Sequence, residues 1–190
     1  MFPLGITNVK GTTGCVLNFN TSPPFTDSLG RHSPSTSVVT MSSGRAVFTG
    51  ASGAQIVVND NRSDFSYAKR PDISVTVNLS NYGSDRIIWT TYLGAEQSGV
   101  EFYHKSDGKM VLNLGTGVIL TTYALPLGID VVLRVLQSSA TTWTIYADGV
   151  SVGTTDASII VADSTLAIGG YPNLGFRFVG QMDNFSWINT

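Results

Sequence analysis

The 190-residue chain reads as an all-β protein, an antiparallel sandwich of two sheets. Three observations predict it. Apolar and polar residues alternate in short runs, turn residues part those runs every 8 to 15 residues or so, and no segment sustains the three-to-four spacing of an amphipathic helix. Hydrophobic residues at 42% are enough to fill the space between two sheets, and the length suits one domain.

Taken in order, Val16-Leu17-Asn18-Phe19 opens the first strand. Ser22-Pro23-Pro24 ends it, since proline brings no N–H to a ladder. A long polar loop follows through Asp27-Ser28-Leu29-Gly30. Ala46-Val47-Phe48 and Gln55-Ile56-Val57-Val58 flank Gly50-Ala51-Ser52-Gly53, which is expected to be a hairpin turn. Residues 73–79 alternate strictly, with Ile73, Val75, Val77 and Leu79 on one face and Ser74, Thr76 and Asn78 on the other. Residues 86–92 and 99–105 read as the next two strands, and the second turns at Ser106-Asp107-Gly108 into 109–114. Asp-Gly marks a hairpin because glycine tolerates the positive φ of a tight turn. Residues 130–136 are expected to pair with 142–147, and a second Asp-Gly, Asp148-Gly149, leads into 150–153. Residues 166–170 and 179–188 close the count at about eleven or twelve strands.

Charge narrows the partners. Charged residues are 13%, against about 25% in an average protein. With 11 basic and 13 acidic residues, and Lys69-Arg70 as the longest basic cluster, no positive field gathers phosphates, so nucleic acid is excluded as a partner. No run of 18 apolar residues offers membrane insertion. The first residues carry neither the basic start nor the long apolar stretch of a secretion signal, so synthesis in a cytoplasm is expected. Cys15, the only cysteine, reads as a small buried hydrophobe. Residues 1–13, with Phe2, Leu4, Ile6 and Val9 among Pro and Gly, read as an apolar arm preceding one domain over 14–190. Such an arm needs a cover, either its own domain or the sheet edge of a neighbour.

Three segments of the C-terminal third carry a resemblance. Tyr146-Ala147-Asp148-Gly149, Leu166-Ala167-Ile168-Gly169-Gly170 and Phe178-Val179-Gly180-Gln181-Met182-Asp183 occur in that order. They resemble the hairpin, "lxIGG" strand and closing "fxGxiDxv" strand of the laminin G-like branch of the concanavalin A-like lectin/glucanase superfamily. Asp27-Ser28-Leu29-Gly30 and residues 44–50 are similar to its early loop and "GxAxxFxG" strand, so the likeness spans most of the chain. Two departures stand out: residues 73–79 lack the Trp often found there, and Leu127-Gly128-Ile129-Asp130 replaces the usual "WhHva" approach. The resemblance implies a jelly-roll sandwich. It also implies that a structural calcium, where such a domain holds one, would use Asp27 and Asp183; the alternative for these two is local hydrogen bonding at a turn and at a strand end.

The superfamily's glucanases carry Glu-x-Asp-x-(x)-Glu on one strand face. Only Glu96 and Glu101 are present here, five apart and without an intervening Asp, so the retaining pair is missing. His32 in a Pro-flanked loop and His104 beside Lys105 offer neither a nucleophile elbow nor a metal cluster. The chain is therefore expected not to be an enzyme and to need no cofactor. For sugar stacking the candidates are Tyr82, Tyr92, Tyr103 and Tyr171, with Asn173 beside the last as a hydrogen-bonding amide. Tyr82 and Tyr171 fall in turns, whereas Trp89, Trp143 and Trp187 alternate with polar neighbours inside strands and read as core. The expected function is a non-catalytic structural or adhesive virion component, a phage head decoration or tail-associated protein, whose partners are other virion proteins or itself. The alternative is a glycan-binding lectin module that recognises host surface carbohydrate.

Overall fold

The computed structural model describes residues 13–19, 25–36, 38–59, 64–91, 99–159, 165–171 and 175–189. Their alternating runs become fifteen strands: β1 (Gly14–Leu17), β2 (Ser35–Thr36), β3 (Thr40–Ser42), β4 (Arg45–Thr49), β5 (Ile56–Val58), β6 (Pro71–Leu79), β7 (Arg86–Thr90), β8 (Glu101–His104), β9 (Lys109–Asn113), β10 (Val118–Ala124), β11 (Asp130–Gln137), β12 (Thr142–Ala147), β13 (Val150–Asp156), β14 (Leu166–Ile168) and β15 (Val179–Asn189). A 3-10 turn at Tyr67–Lys69 precedes β6. One sheet of eight strands runs β13-β12-β11-β6-β15-β4-β3, with β1 added to β15; the other, of seven, runs β10-β9-β8-β7-β14-β5-β2. The expected two-sheet antiparallel sandwich is the fold. The arm expected over residues 1–13 lies, except for Thr13, outside the described residues.

The strictest alternation in the sequence makes the centre of the larger sheet. Every second residue of β6 from Pro71 to Leu79 is buried, and β6 pairs with β11 on one side and β15 on the other. Aromatic rings link the two sheets through the core: Trp143 meets Tyr67, Tyr67 meets Trp187, Trp187 meets Trp89, and Trp89 meets Phe102, with ring centroids 5.4–5.8 Å apart. All three tryptophans are buried, as their alternation predicts, and so is Cys15. At such centroid distances aromatic pairs add to plain area burial.

Two expectations are corrected. Residues 46–48 and 55–58 do not form a hairpin: β4 pairs with β3 and β15 in the larger sheet, β5 with β2 and β14 in the smaller. The turn at Gly50 and Gly53, both at positive φ, carries the chain from one sheet to the other. The strand β10 was not among the runs read from the sequence. Its outward residues Val118 and Leu120 are as apolar as the inward Ile119, and the inward position 121 is threonine, so the expected alternation is blurred.

Candidate functional site

On β8 the alternation sends Phe102 and His104 inward, so Glu101 and Tyr103 face out from the seven-stranded sheet. Tyr103 pairs with Val111, and Glu101 with Asn113. On β7 a register shift falls between Ile87, opposite Tyr103, and Trp89, opposite Phe102. That bulge lets Ile87 join the outer face while Trp89 stays in the core. The stretch 176–177 then crosses over Ile87: its N–H donates to the Phe176 carbonyl at 2.8 Å, and Arg86 Nη1 donates to the Arg177 carbonyl at 3.0 Å.

This arrangement encloses a cleft of about 230 Å³ lined by Asp85, Arg86, Ile87, Glu101, Tyr103, Tyr171 and Phe176. Tyr171 donates its hydroxyl to Glu101 Oε1, and Asn113 Nδ2 donates to Oε2 at 3.0 Å. The Phe176 ring stands edge-on to Tyr171 at 6.2 Å. Phe176 is 55% exposed and has a φ of 62°, a left-handed conformation that bulky side chains rarely adopt. Its strained backbone holds a large apolar ring in solvent at the rim of a cleft, as strain at ligand sites often does. Burial, with the charges of Glu101 and Asp85, pushes the Tyr103 hydroxyl above the usual tyrosine range, so it stays a neutral donor.

Two carboxylates line the cleft, and the register sets their backbone spacing. Arg86 pairs with His104 and Thr90 with Glu101. Asp85 therefore lies beside Lys105, four residues along the strand from Glu101, or about 14 Å at the rise of an extended strand. Asp85 also accepts the Ser106 N–H at 3.0 Å, and both Glu101 oxygens are occupied. The cleft offers aromatic faces, one carboxylate at each end and a guanidinium, a set suited to holding hydroxyl groups.

Of the residues singled out in the sequence, Tyr171 and Tyr103 meet here. Tyr82 does not line the cleft: its hydroxyl donates to the Leu125 carbonyl at 2.7 Å and its ring lies over Gly108. Asn173 and Tyr92 fall outside the described residues. Asp27 is buried, and its oxygens accept the backbone N–H groups of Val16, Leu29, Arg31 and His32 at 2.9–3.0 Å, so it ties the polar loop to β1. Asp183 bonds its neighbour Asn184, and burial pushes its carboxyl up although Arg45 opposes this. Arg45 itself forks onto Asp130 at 2.6 Å. Among the described residues no group of three or more His, Cys, Asp or Glu side chains is placed to hold a metal ion. Sequence reasoning missed Arg86 and Phe176, and weighed Glu101 only as a catalytic acid. It also missed the buried Asp64, which Arg31 grips at 2.5 and 2.8 Å and His32 at 3.1 Å. Burial would raise that carboxyl, but the Arg31 and His32 contacts outweigh it and hold it below its ordinary range.

No family model and no curated protein matches the sequence. Solved structures share the fold. The binding domain of Paraclostridial Mosquitocidal Protein 1 is 16% identical over 93% of this chain and 49% of that one, with a TM-score of 0.73. Trypanosoma rangeli sialidase is 13% identical over 94% of this chain and 30% of its own, at 0.74. Domain 4 of AbnA, a GH43 extracellular arabinanase from Geobacillus stearothermophilus in complex with arabinotriose, is 12% identical over 94% of this chain and 93% of that one, at 0.67. The chain thus spans about half of the first protein's length and under a third of the second's.

Proposed function

We propose that the chain is a non-catalytic carbohydrate-binding module that takes its ligand on the outer face of the seven-stranded sheet. One observation carries this reading: Tyr103, Tyr171 and the strained, exposed Phe176 gather around Glu101 and Arg86 in one cleft. Supporting it, solved structures of this fold include the binding domains of a mosquitocidal protein and of a botulinum neurotoxin, and an arabinanase domain in complex with arabinotriose. Glycan-array screening followed by calorimetry on the best ligand tests it. Tyr103→Ala and Phe176→Gly each lower affinity by tenfold or more, about 1.4 kcal/mol. Phe176→Gly leaves the fold as stable or about 1 kcal/mol more so, because glycine adopts the left-handed backbone without strain. Affinity unchanged in both variants overturns the assignment.

A second observation favours assembly. Leu127, Ile129, Val132 and Val150, at the Asp130 end of β11 and the adjoining turn, are 44–66% exposed. A scatter of apolar residues is ordinary, whereas a group at one place on a weakly charged surface suits a protein contact. On this reading the module is a virion component that docks on copies of itself or on other particle proteins. That setting is supported by the low charge and the apolar arm over 1–13.

A further inference from the structure

We infer that the edge of the sandwich carries a second ligand site, separate from the outer-face cleft, for a neutral hydroxylated ring of monosaccharide size. A cavity of about 290 Å³ opens between the 3-10 turn, the end of β11 and the segment after β13, with Ser66, Tyr67, Gln137, Ala140, Ser158 and Ile159 in its wall. Gln137 is 3% exposed; its Nε2 donates to the Ala140 carbonyl at 3.3 Å, and its Oε1 is buried with no partner. Directly across the ladder stands Trp143, fully buried, whose Nε1 also has no partner. The Trp143 ring packs on cavity-lining Tyr67 at 5.7 Å, and Tyr67 is fixed through its hydroxyl to Thr91 at 2.6 Å.

Native interiors pair nearly all their buried polar atoms. Here an orphan acceptor lines a cavity and an orphan donor stands directly across the ladder from it. A hydroxyl group satisfies either kind of orphan, since it donates to an acceptor such as Gln137 Oε1 and accepts from a donor such as Trp143 Nε1. Among the described residues no Asp, Glu, Lys, Arg or His lines the cavity, so on these walls a charged ligand would lose its hydration without a counter-charge. The volume lies at the lower end of the range of about 300–1,000 Å³ for ligand pockets, which limits the occupant to one ring. Hydroxyl groups at several positions on a compact neutral ring are the chemistry of a monosaccharide unit. Water is the competing occupant, since it also donates and accepts.

The three tryptophans make the test direct, because each indole N–H gives one nitrogen-15 correlated resonance. The protein is titrated separately with L-arabinose, D-galactose, D-glucose and N-acetyl-D-glucosamine. The expected result is that at least one sugar moves the Trp143 resonance saturably. The Trp187 resonance, whose Nε1 already donates to Asn189 Oδ1 at 3.2 Å, stays in place. Gln137→Leu abolishes the movement, and Tyr103→Ala, which impairs only the outer-face cleft, preserves it. The inference is overturned if no sugar moves Trp143 saturably, leaving a cavity that holds water alone. It is also overturned if the movement survives in a folded Gln137→Leu or disappears in Tyr103→Ala. The wild-type titration decides even where Gln137→Leu fails to fold.

Discussion

His104 shows what a single buried residue costs this sandwich. Its side chain is fully buried, with Nδ1 set to donate to the Lys105 carbonyl at 2.9 Å and Nε2 without a partner. Burial, the largest influence, pushes the imidazole below its ordinary 6.5, with a smaller contribution from Arg86. In the unfolded chain the same group titrates near 6.5. Between those two values the unfolded chain holds a proton that the folded chain refuses, so stability rises with pH across that window. Thermal melts should give a Tm that is level with respect to this group above about pH 6.5 and falls as the pH drops below it. His104→Met, neutral and of similar bulk, should flatten that fall; an unchanged slope would remove His104 as its cause. The sequence could place His104 on a strand two residues from Phe102, on the inward face, but could not show that its Nε2 goes without a partner there. Tyr171 was legible because it falls in a turn next to two glycines. Phe176 was not, since nothing in Gly175-Phe176-Arg177 reveals a left-handed φ.

Strands were legible where side chains alternate, and so were pairings between neighbouring runs, 130–136 with 142–147 and those across the two Asp-Gly turns; partners distant in sequence were not, which Gly169, after β14, and Gly180 of β15 make concrete. Gly180 was read as part of a motif. The fold supplies the reason: its φ is 151°, and a Cβ there would lie 2.2 Å from the Asn78 carbonyl oxygen of β6. Gly169, at φ 82°, would bring a Cβ to 2.2 Å from the Phe48 ring. Both glycines admit a neighbour that no local pattern announces. Gly180→Ala must therefore push β15 away from β6, the strand at the centre of the larger sheet. It should destabilise the protein by about 2–3 kcal/mol in denaturant unfolding, since backbone cannot yield as a flexible side chain does. A loss below about 0.5 kcal/mol would show that the strands separate there without cost. The same blindness to pairing explains the false hairpin at residues 46–58, where a glycine-rich turn looks alike whether it returns within a sheet or crosses between two. It explains β10 less directly: an edge strand with Val118 and Leu120 outside and Ile119 inside carries no alternation at 118–120.

At the scale of the molecule, the sandwich keeps its two candidate surfaces on opposite faces. Glu101 and Tyr103 point out from the seven-stranded sheet, while Val132 points out from the eight-stranded one, between inward Val131 and Leu133. Copies joined through the Val132 side would leave every cleft open. On the proposed reading a cleft of about 230 Å³ takes one sugar ring, and such contacts are weak singly. Binding several at once multiplies avidity by roughly 10²–10⁴ when geometry allows it, so assembly and carbohydrate binding reinforce each other. Light scattering over a range of concentrations, on the full chain and on one lacking residues 1–12, separates the parts. Removing only those twelve keeps Thr13, whose carbonyl and hydroxyl accept from Asn189 at 3.0 and 2.8 Å. The full chain should form a defined oligomer, and both the shortened chain and the Ile129→Ser/Val132→Ser double variant should be monomers with unchanged melting. The oligomer should outbind the monomers on a dense glycan surface by tenfold or more yet match them for a single soluble sugar, because avidity alters the number of simultaneous contacts and leaves each contact as it was. A full chain that stays monomeric at every concentration would remove self-assembly from the account, and the cleft would then have to reach its affinity alone.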